Sequence, residues 1–99
     1  GQQRVKGRLT LDTGAVAALR ERGVSLLPVG VTAVSGEFSR GELVACQDDE
    51  GRLIAQGLSN YSSVETALML GAGSDVIGER LGYSLEPELI HRDNLVLLI

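Results

Sequence analysis

Residues 40–63, RGELVACQDDEGRLIAQGLSNYSS, contain two short apolar runs on either side of an acidic turn that ends in Gly51. Two strand-like runs joined by a short turn that ends in glycine predict a β-hairpin. In the first run, Leu43 and Ala45 alternate with Val44 and Cys46, so both faces of this strand are apolar. That pattern is typical of a strand in a small closed barrel or of a strand covered by a helix.

The segments before the hairpin predict a strand, a helix and a second strand. Leu9 and Leu11 alternate with polar neighbours, which indicates a strand. A helix should follow from a cap at Asp12 or Thr13 to about residue 22, and Gly23 stands where a C-terminal stop is expected. Alternation resumes over residues 29–33 and goes out of phase at Val34, which predicts a bulge or bend there.

The segments after the hairpin predict two more helices and a last strand. Ser62 and Glu65 have the spacing of a capping box, so a helix should run from residue 63 to 70. Ser74 can cap a third helix over residues 75–81, and residues 94–99 have the apolar composition of a buried strand. Together these elements predict an α+β, mainly β fold: a small mixed β pseudo-barrel with two or three short helices packed on it.

The overall composition limits the class of protein. The 99 residues predict a single domain over residues 8–99, preceded by a linker over residues 1–7. No apolar stretch approaches the ~20 residues of a membrane span, so no membrane contact is expected. A lone cysteine, Cys46, fits the reducing cytoplasm. The net charge of −4 argues against a large nucleic-acid footprint, although Arg4, Lys6 and Arg8 alternate and could form a local basic patch.

Few residues suggest catalytic chemistry. The tetrapeptide 91–94, HRDN, begins like the catalytic loop of protein kinases but lacks the loop's asparagine spacing and the kinase glycine-rich loop, so a polar turn is expected. Cys46 has no partner at metal-ligand spacing, and Tyr61 fits core packing better than stacking on a nucleic-acid base. We therefore predict no catalytic residue, no metal site and no cofactor in this chain.

The chain resembles the PUA domain that forms the C-terminal part of bacterial glutamate 5-kinases. The likeness covers residues 8–97 and depends on the order of six segments: 9–15 (LTLDTGA), 25–31 (SLLPVGV), 36–42 (GEFSRGE), 54–57 (IAQG), 60–63 (NYSS) and 91–94 (HRDN). The resemblance implies a PUA pseudo-barrel attached to an upstream amino-acid-kinase domain of the same polypeptide. That domain would use ATP and Mg to phosphorylate the side-chain carboxylate of glutamate, the first step of proline synthesis.

Three roles for the chain follow from the resemblance. The leading hypothesis is a regulatory accessory domain that packs against its kinase domain and could take part in a homo-oligomer. The alternatives are an RNA-binding module and a binding domain for a small effector such as proline, in the groove between the first helix and the barrel. In other PUA proteins the first helix and the next strand contact RNA. The matching segments in this chain are residues 12–22 and 23–31. The candidate RNA- or partner-contact residues are Arg4, Lys6, Arg8, Thr13, Arg20, Arg22, Gly23 and Tyr61.

Overall fold

A computed structural model describes residues 4–83 and 85–99, so the first three residues of the predicted linker lie outside the described part of the chain. The regular elements are, in chain order, β1 (Gly7–Leu11), α1 (Thr13–Arg22), β2 (Val31–Gly36), β3 (Leu43–Gln47), β4 (Leu53–Leu58), α2 (Ser63–Met69), α3 (Ile77–Leu81) and β5 (Leu95–Leu97). Short 3-10 turns at Pro28–Gly30, Ser74–Val76 and Arg92–Asn94 precede β2, α3 and β5.

The five strands form one mixed sheet in the order β2-β1-β3-β4-β5. β1 and β3 are parallel, and the other neighbouring pairs are antiparallel. The predicted hairpin is therefore confirmed as β3–β4, and so is the α+β class with a small mixed sheet and short helices. Within the described residues the sheet stays open, because β2 and β5 lie at its two ends and do not pair with each other.

Side-chain caps fix where two of the helices begin. The Asp12 carboxylate accepts a hydrogen bond from the Ala15 N–H at 2.7 Å, so Asp12 is the N-cap of α1. Ser62 and Glu65 form the complete predicted capping box at the start of α2. The prediction for α3 was wrong in one respect: Ser74 makes no capping bond, because a 3-10 turn occupies residues 74–76.

The predicted bulge lies two residues earlier than expected. The register between β1 and β2 shifts where Thr10 pairs with Ala33 and Leu11 pairs with Val31, so Thr32 is the extra residue. The Thr32 hydroxyl donates to the Thr10 carbonyl oxygen at 3.3 Å, which gives the bulged residue a partner across the ladder. Val34 instead keeps the regular register and packs against the core.

The last strand was predicted to be buried, and that prediction was wrong. β5 covers only three residues at one edge of the sheet; Leu95 is half-buried and packs against the core, whereas Val96 and Leu97 are exposed. Val96 is 58% exposed and Leu98 is 44% exposed. The core lies between the strands and the helices, and its largest fully buried side chains are those of Tyr61, Leu9, Leu11, Leu19, Leu26, Ile54, Met69, Ile77, Leu89 and Ile90.

Candidate functional site

A groove of about 530 Å³ separates α1 from the segment that leads into β2. Gly23 ends α1 in the left-handed conformation, with φ 58°, and so turns the chain back along the helix. Small residues set the distance between the two walls, because a Cβ placed on Gly30 would lie 2.6 Å from the Ala15 Cβ. The groove is thus a direct result of the small, alanine-rich face of α1.

Apolar side chains form most of the groove wall. The lining residues are Asp12, Gly14, Ala15, Ala18, Leu19, Arg22, Val24, Ser25, Leu26, Leu27, Val29, Gly30 and Glu88. Arg22 is the one cation among them, against the two carboxylates of Asp12 and Glu88. Such a groove suits an apolar surface or ligand, whereas a nucleic-acid backbone needs several cations.

The predicted contact residues are spread over different parts of the surface. Arg22 lines the groove, and Gly23 lies exposed at the end of α1. Thr13 and Arg20 are also exposed on α1 but do not line the groove. The basic residues of the first strand lie elsewhere: Arg8 donates to the Gln47 side chain at 3.2 Å, on the side of the sheet away from the core.

Arg4 and Lys6 precede β1, and both are exposed. The Lys6 backbone N–H donates to the Leu43 carbonyl oxygen at 2.8 Å, so the sheet-like pairing begins one residue before β1. These positions leave the two side chains available for contact, and neither lines the groove beside α1.

Tyr61 is a core residue. Its side chain is fully buried, and its hydroxyl donates to the Glu86 carbonyl oxygen while accepting from the Leu85 N–H at 3.3 Å. The ring therefore cannot stack on a base in this structure, and the interpretation as core packing is the correct one. The hydroxyl instead anchors the segment that follows α3.

A polar cluster that the sequence analysis missed joins three distant segments. The buried Glu65 carboxylate accepts from the Arg40 Nε at 2.9 Å, from the Ser62 N–H at 2.8 Å and from the Tyr83 hydroxyl. Arg40 also lies over the Tyr83 ring, 5.7 Å from its centroid. The capping box was predictable, but Arg40 and Tyr83 lie 25 and 18 residues from Glu65, and no spacing rule covers such distances.

This cluster has a structural rather than a catalytic character. The hydrogen bond from Arg40, together with those from Ser62 and Tyr83, lowers the pKa of Glu65 to about 2 despite its burial. Their hydrogen bonds to Glu65 in turn raise the pKa values of Arg40 and Tyr83. A carboxylate that already accepts bonds from three donors has no free role as a general base near neutral pH.

The other two candidate reactive side chains are those of Cys46, which is buried, and His91, which is hydrogen-bonded. Burial raises the pKa of the Cys46 thiol to about 12, so it stays protonated and unreactive. His91 Nδ1 accepts from the Asp93 N–H at 3.1 Å, which confirms the polar turn predicted for residues 91–94. Over residues 4–83 and 85–99, no group of three potential metal ligands occurs, and no helix is long and apolar enough to cross a membrane.

Comparison with known proteins identifies the fold. The family model of the PUA domain matches residues 7–77, from the start of β1 to the start of α3. The chain belongs to the PUA domain family. The groove beside α1 lies within the matched residues, except for Glu88.

Curated relatives of this PUA domain are considerably longer than the chain. It is 62% identical over 98 residues to the glutamate 5-kinase of Saccharophagus degradans and 60% identical over 98 residues to that of Thioalkalivibrio sulfidiphilus. In both comparisons the match covers 99% of this chain and 26% of the relative. The chain thus spans about a quarter of the length of these relatives.

Solved structures share the same PUA fold at lower identity. A PUA domain protein from Aeropyrum pernix, solved as a tartrate complex, superposes with a TM-score of 0.64 at 24% identity, covering 87% of this chain and 41% of that protein. An archaeal box H/ACA sRNP complex superposes with a TM-score of 0.60 at 22% identity, covering 89% of this chain and 26% of that one. These likenesses establish the fold alone.

Proposed function

We propose that this PUA domain is the accessory domain of a glutamate 5-kinase and acts as a binding module that packs against the rest of that enzyme. The observation that carries the proposal is the identity of 62% over nearly the whole chain to a quarter of a protein named glutamate 5-kinase. The complete enzyme would transfer the γ-phosphoryl group of ATP, with Mg, to the glutamate side chain in the cytoplasm. Its amino-acid-kinase domain would supply the catalytic residues.

The surface of the domain supports a role in binding protein. The groove beside α1 has an apolar wall, and its charged residues, Arg22, Asp12 and Glu88, have mixed signs. The carboxylate with the most perturbed pKa, Glu65, is fully engaged in holding segments together. Both features fit a module that positions or regulates a neighbouring catalytic domain, and a homo-oligomeric enzyme could use the same surfaces.

Deleting residues 7–99 from the complete polypeptide tests this role. We expect glutamate phosphorylation to persist in the truncated enzyme, because the catalytic groups would lie upstream, while its oligomeric state or its response to effectors changes. Steady-state kinetics and light scattering of both forms provide the measurements. Two results would contradict the proposal: a complete polypeptide without glutamate kinase activity, or an inactive truncated form whose remaining part is still folded.

RNA binding is the second candidate, because PUA folds also occur in ribonucleoprotein complexes such as the box H/ACA sRNP. The net charge of −4 and the single lining cation, Arg22, predict no saturable binding of a structured RNA up to about 100 μM chain at low salt. Fluorescence anisotropy checks this expectation. A complex that weakens steeply with salt, and that Arg20→Glu with Arg22→Glu abolishes while Glu88→Gln does not, would favour the RNA alternative.

A further inference from the structure

β5 leaves one side of its backbone without a partner strand among the described residues. The strand pairs with β4 through Leu95 opposite Gly57, Val96 opposite Gln56 and Leu97 opposite Ala55. The next N–H, that of Leu98, donates to the Ile54 carbonyl oxygen at 2.8 Å. In an antiparallel ladder these directions alternate, so the N–H and C=O groups of Leu97 point away from β4.

The side chains around this free edge are apolar and exposed. Val96 is 58%, Leu97 38%, Leu98 44% and Ile99 43% exposed, and Leu95 is half-buried. We call these five residues the β5 patch. Leu95 to Ile99 carries no charge, no proline and no bulge, so the short length of β5 is the one usual protection of an edge strand that it has. The patch therefore has the composition of a strand that is covered.

We propose that the β5 patch is the surface on which the rest of the same polypeptide docks, by adding an extended segment along the free edge of β5. This inference rests on the proposed function, under which the chain is about a quarter of a longer kinase. The occupant would be an apolar strand whose backbone pairs with Leu97 and whose side chains cover Val96 and Leu98.

The size of the patch favours a linked partner over a second copy of this chain. Five partly exposed side chains offer an apolar surface on the order of a few hundred Å². Each partner in a stable complex of separate proteins buries about 800 Å². A segment of the same polypeptide is present at an effective concentration in the millimolar range, so a smaller interface suffices.

Hydrogen–deuterium exchange compares the isolated chain with the complete polypeptide. We expect residues 95–99 to exchange at least about tenfold more slowly in the complete polypeptide, because the outward N–H groups gain partners. The double variant Val96→Lys with Leu98→Lys should abolish this protection. The matched control is Val64→Lys, at a 71% exposed position on α2 outside the patch, which should leave the protection unchanged.

The same experiments distinguish an error in the docking surface from an error in its occupant or in the proposed kinase function. The melting temperature of the isolated double variant shows whether the substitutions leave the fold intact. If they do not, the single variant Val96→Lys, at the most exposed position of the patch, offers a milder disruption. Equal exchange of residues 95–99 in both forms would overturn the docking surface. A concentration-dependent dimer of the isolated chain that protects β5 would overturn the choice of occupant. Clear protection in a polypeptide that does not phosphorylate glutamate would refute the kinase assignment and support the docking surface.

Discussion

The Glu65→Ala variant is expected to lose about 3 kcal/mol of the free energy of unfolding at pH 7. The substitution removes the acceptor shared by Arg40, Ser62 and Tyr83, and with it one half of the capping box of α2. Arg40 is half exposed, so water can hydrate its guanidinium after the substitution. The loss in the free energy of unfolding therefore stays below that of a fully buried ion pair. Urea denaturation of both proteins measures the difference.

The pH dependence of stability tests whether the negative charge of Glu65 is what stabilises the fold. The pKa of Glu65 is lowered from 4.5 to about 2 in the folded state, so its contribution is complete above pH 4.5 and disappears as the pH falls from there towards 2. Glu65→Gln keeps an acceptor at the same position but has no charge to lose. The difference in stability between the natural protein and Glu65→Gln should therefore shrink over that pH interval.

Two results would argue against this account of the cluster. One is a Glu65→Ala variant as stable as the natural protein at pH 7. The other is a stability difference between the natural protein and Glu65→Gln that stays constant from pH 5 to pH 2, since the carboxylate would then titrate identically in the folded and unfolded states.

Gly57→Ala is expected to cost about 3 kcal/mol and to detach β5 from β4. A Cβ on Gly57 would lie 2.5 Å from the Asn94 carbonyl oxygen, 2.7 Å from the Ile90 Cγ2 and 3.2 Å from the Leu95 Cα. Two of these three atoms belong to backbone, which cannot move away as a flexible side chain can. The substitution therefore forces the strand itself to shift.

Denaturant unfolding and amide exchange at Leu98, whose N–H bonds to Ile54, measure the stability and the detachment separately. Gly14→Ala is the matched control, because its Cβ would meet nothing closer than 3.5 Å and alanine favours the helix. It should leave stability unchanged or raise it slightly. A Gly57→Ala protein with native stability and a slowly exchanging Leu98 amide would refute the steric argument.

Local rules predicted those features of the fold that depend on neighbouring residues. The β3–β4 hairpin, the Asp12 cap and the Ser62–Glu65 capping box all arise within a few residues of sequence. The burial of β5 was predicted wrongly because an apolar run looks the same in a central strand and in an edge strand. Its place in the sheet is decided by the pairing order, which the local pattern does not contain.

In the candidate site, too, local features could be predicted from the sequence and contacts between distant residues could not. The resemblance to PUA domains pointed to residues 12–31, and this segment does form the groove in which Arg22 lies. The burial of Tyr61 followed from ordinary aromatic packing. The partners of Glu65 could not be predicted, because Arg40 and Tyr83 reach it only after the β2–β3 connection and the segment after α3 have folded onto α2.

The parallel pairing of β1 with β3 has a consequence for synthesis on the ribosome. β1 lies between β2 and β3, so the first strand made is an interior strand of the finished sheet. It gains its second neighbour only when residue 47 has been translated, and closing that long loop is slower than forming a hairpin. Until β3 arrives, the β1–β2 pair therefore exposes the edge of β1 that β3 later covers, which makes this edge the exposed pairing surface of the nascent domain.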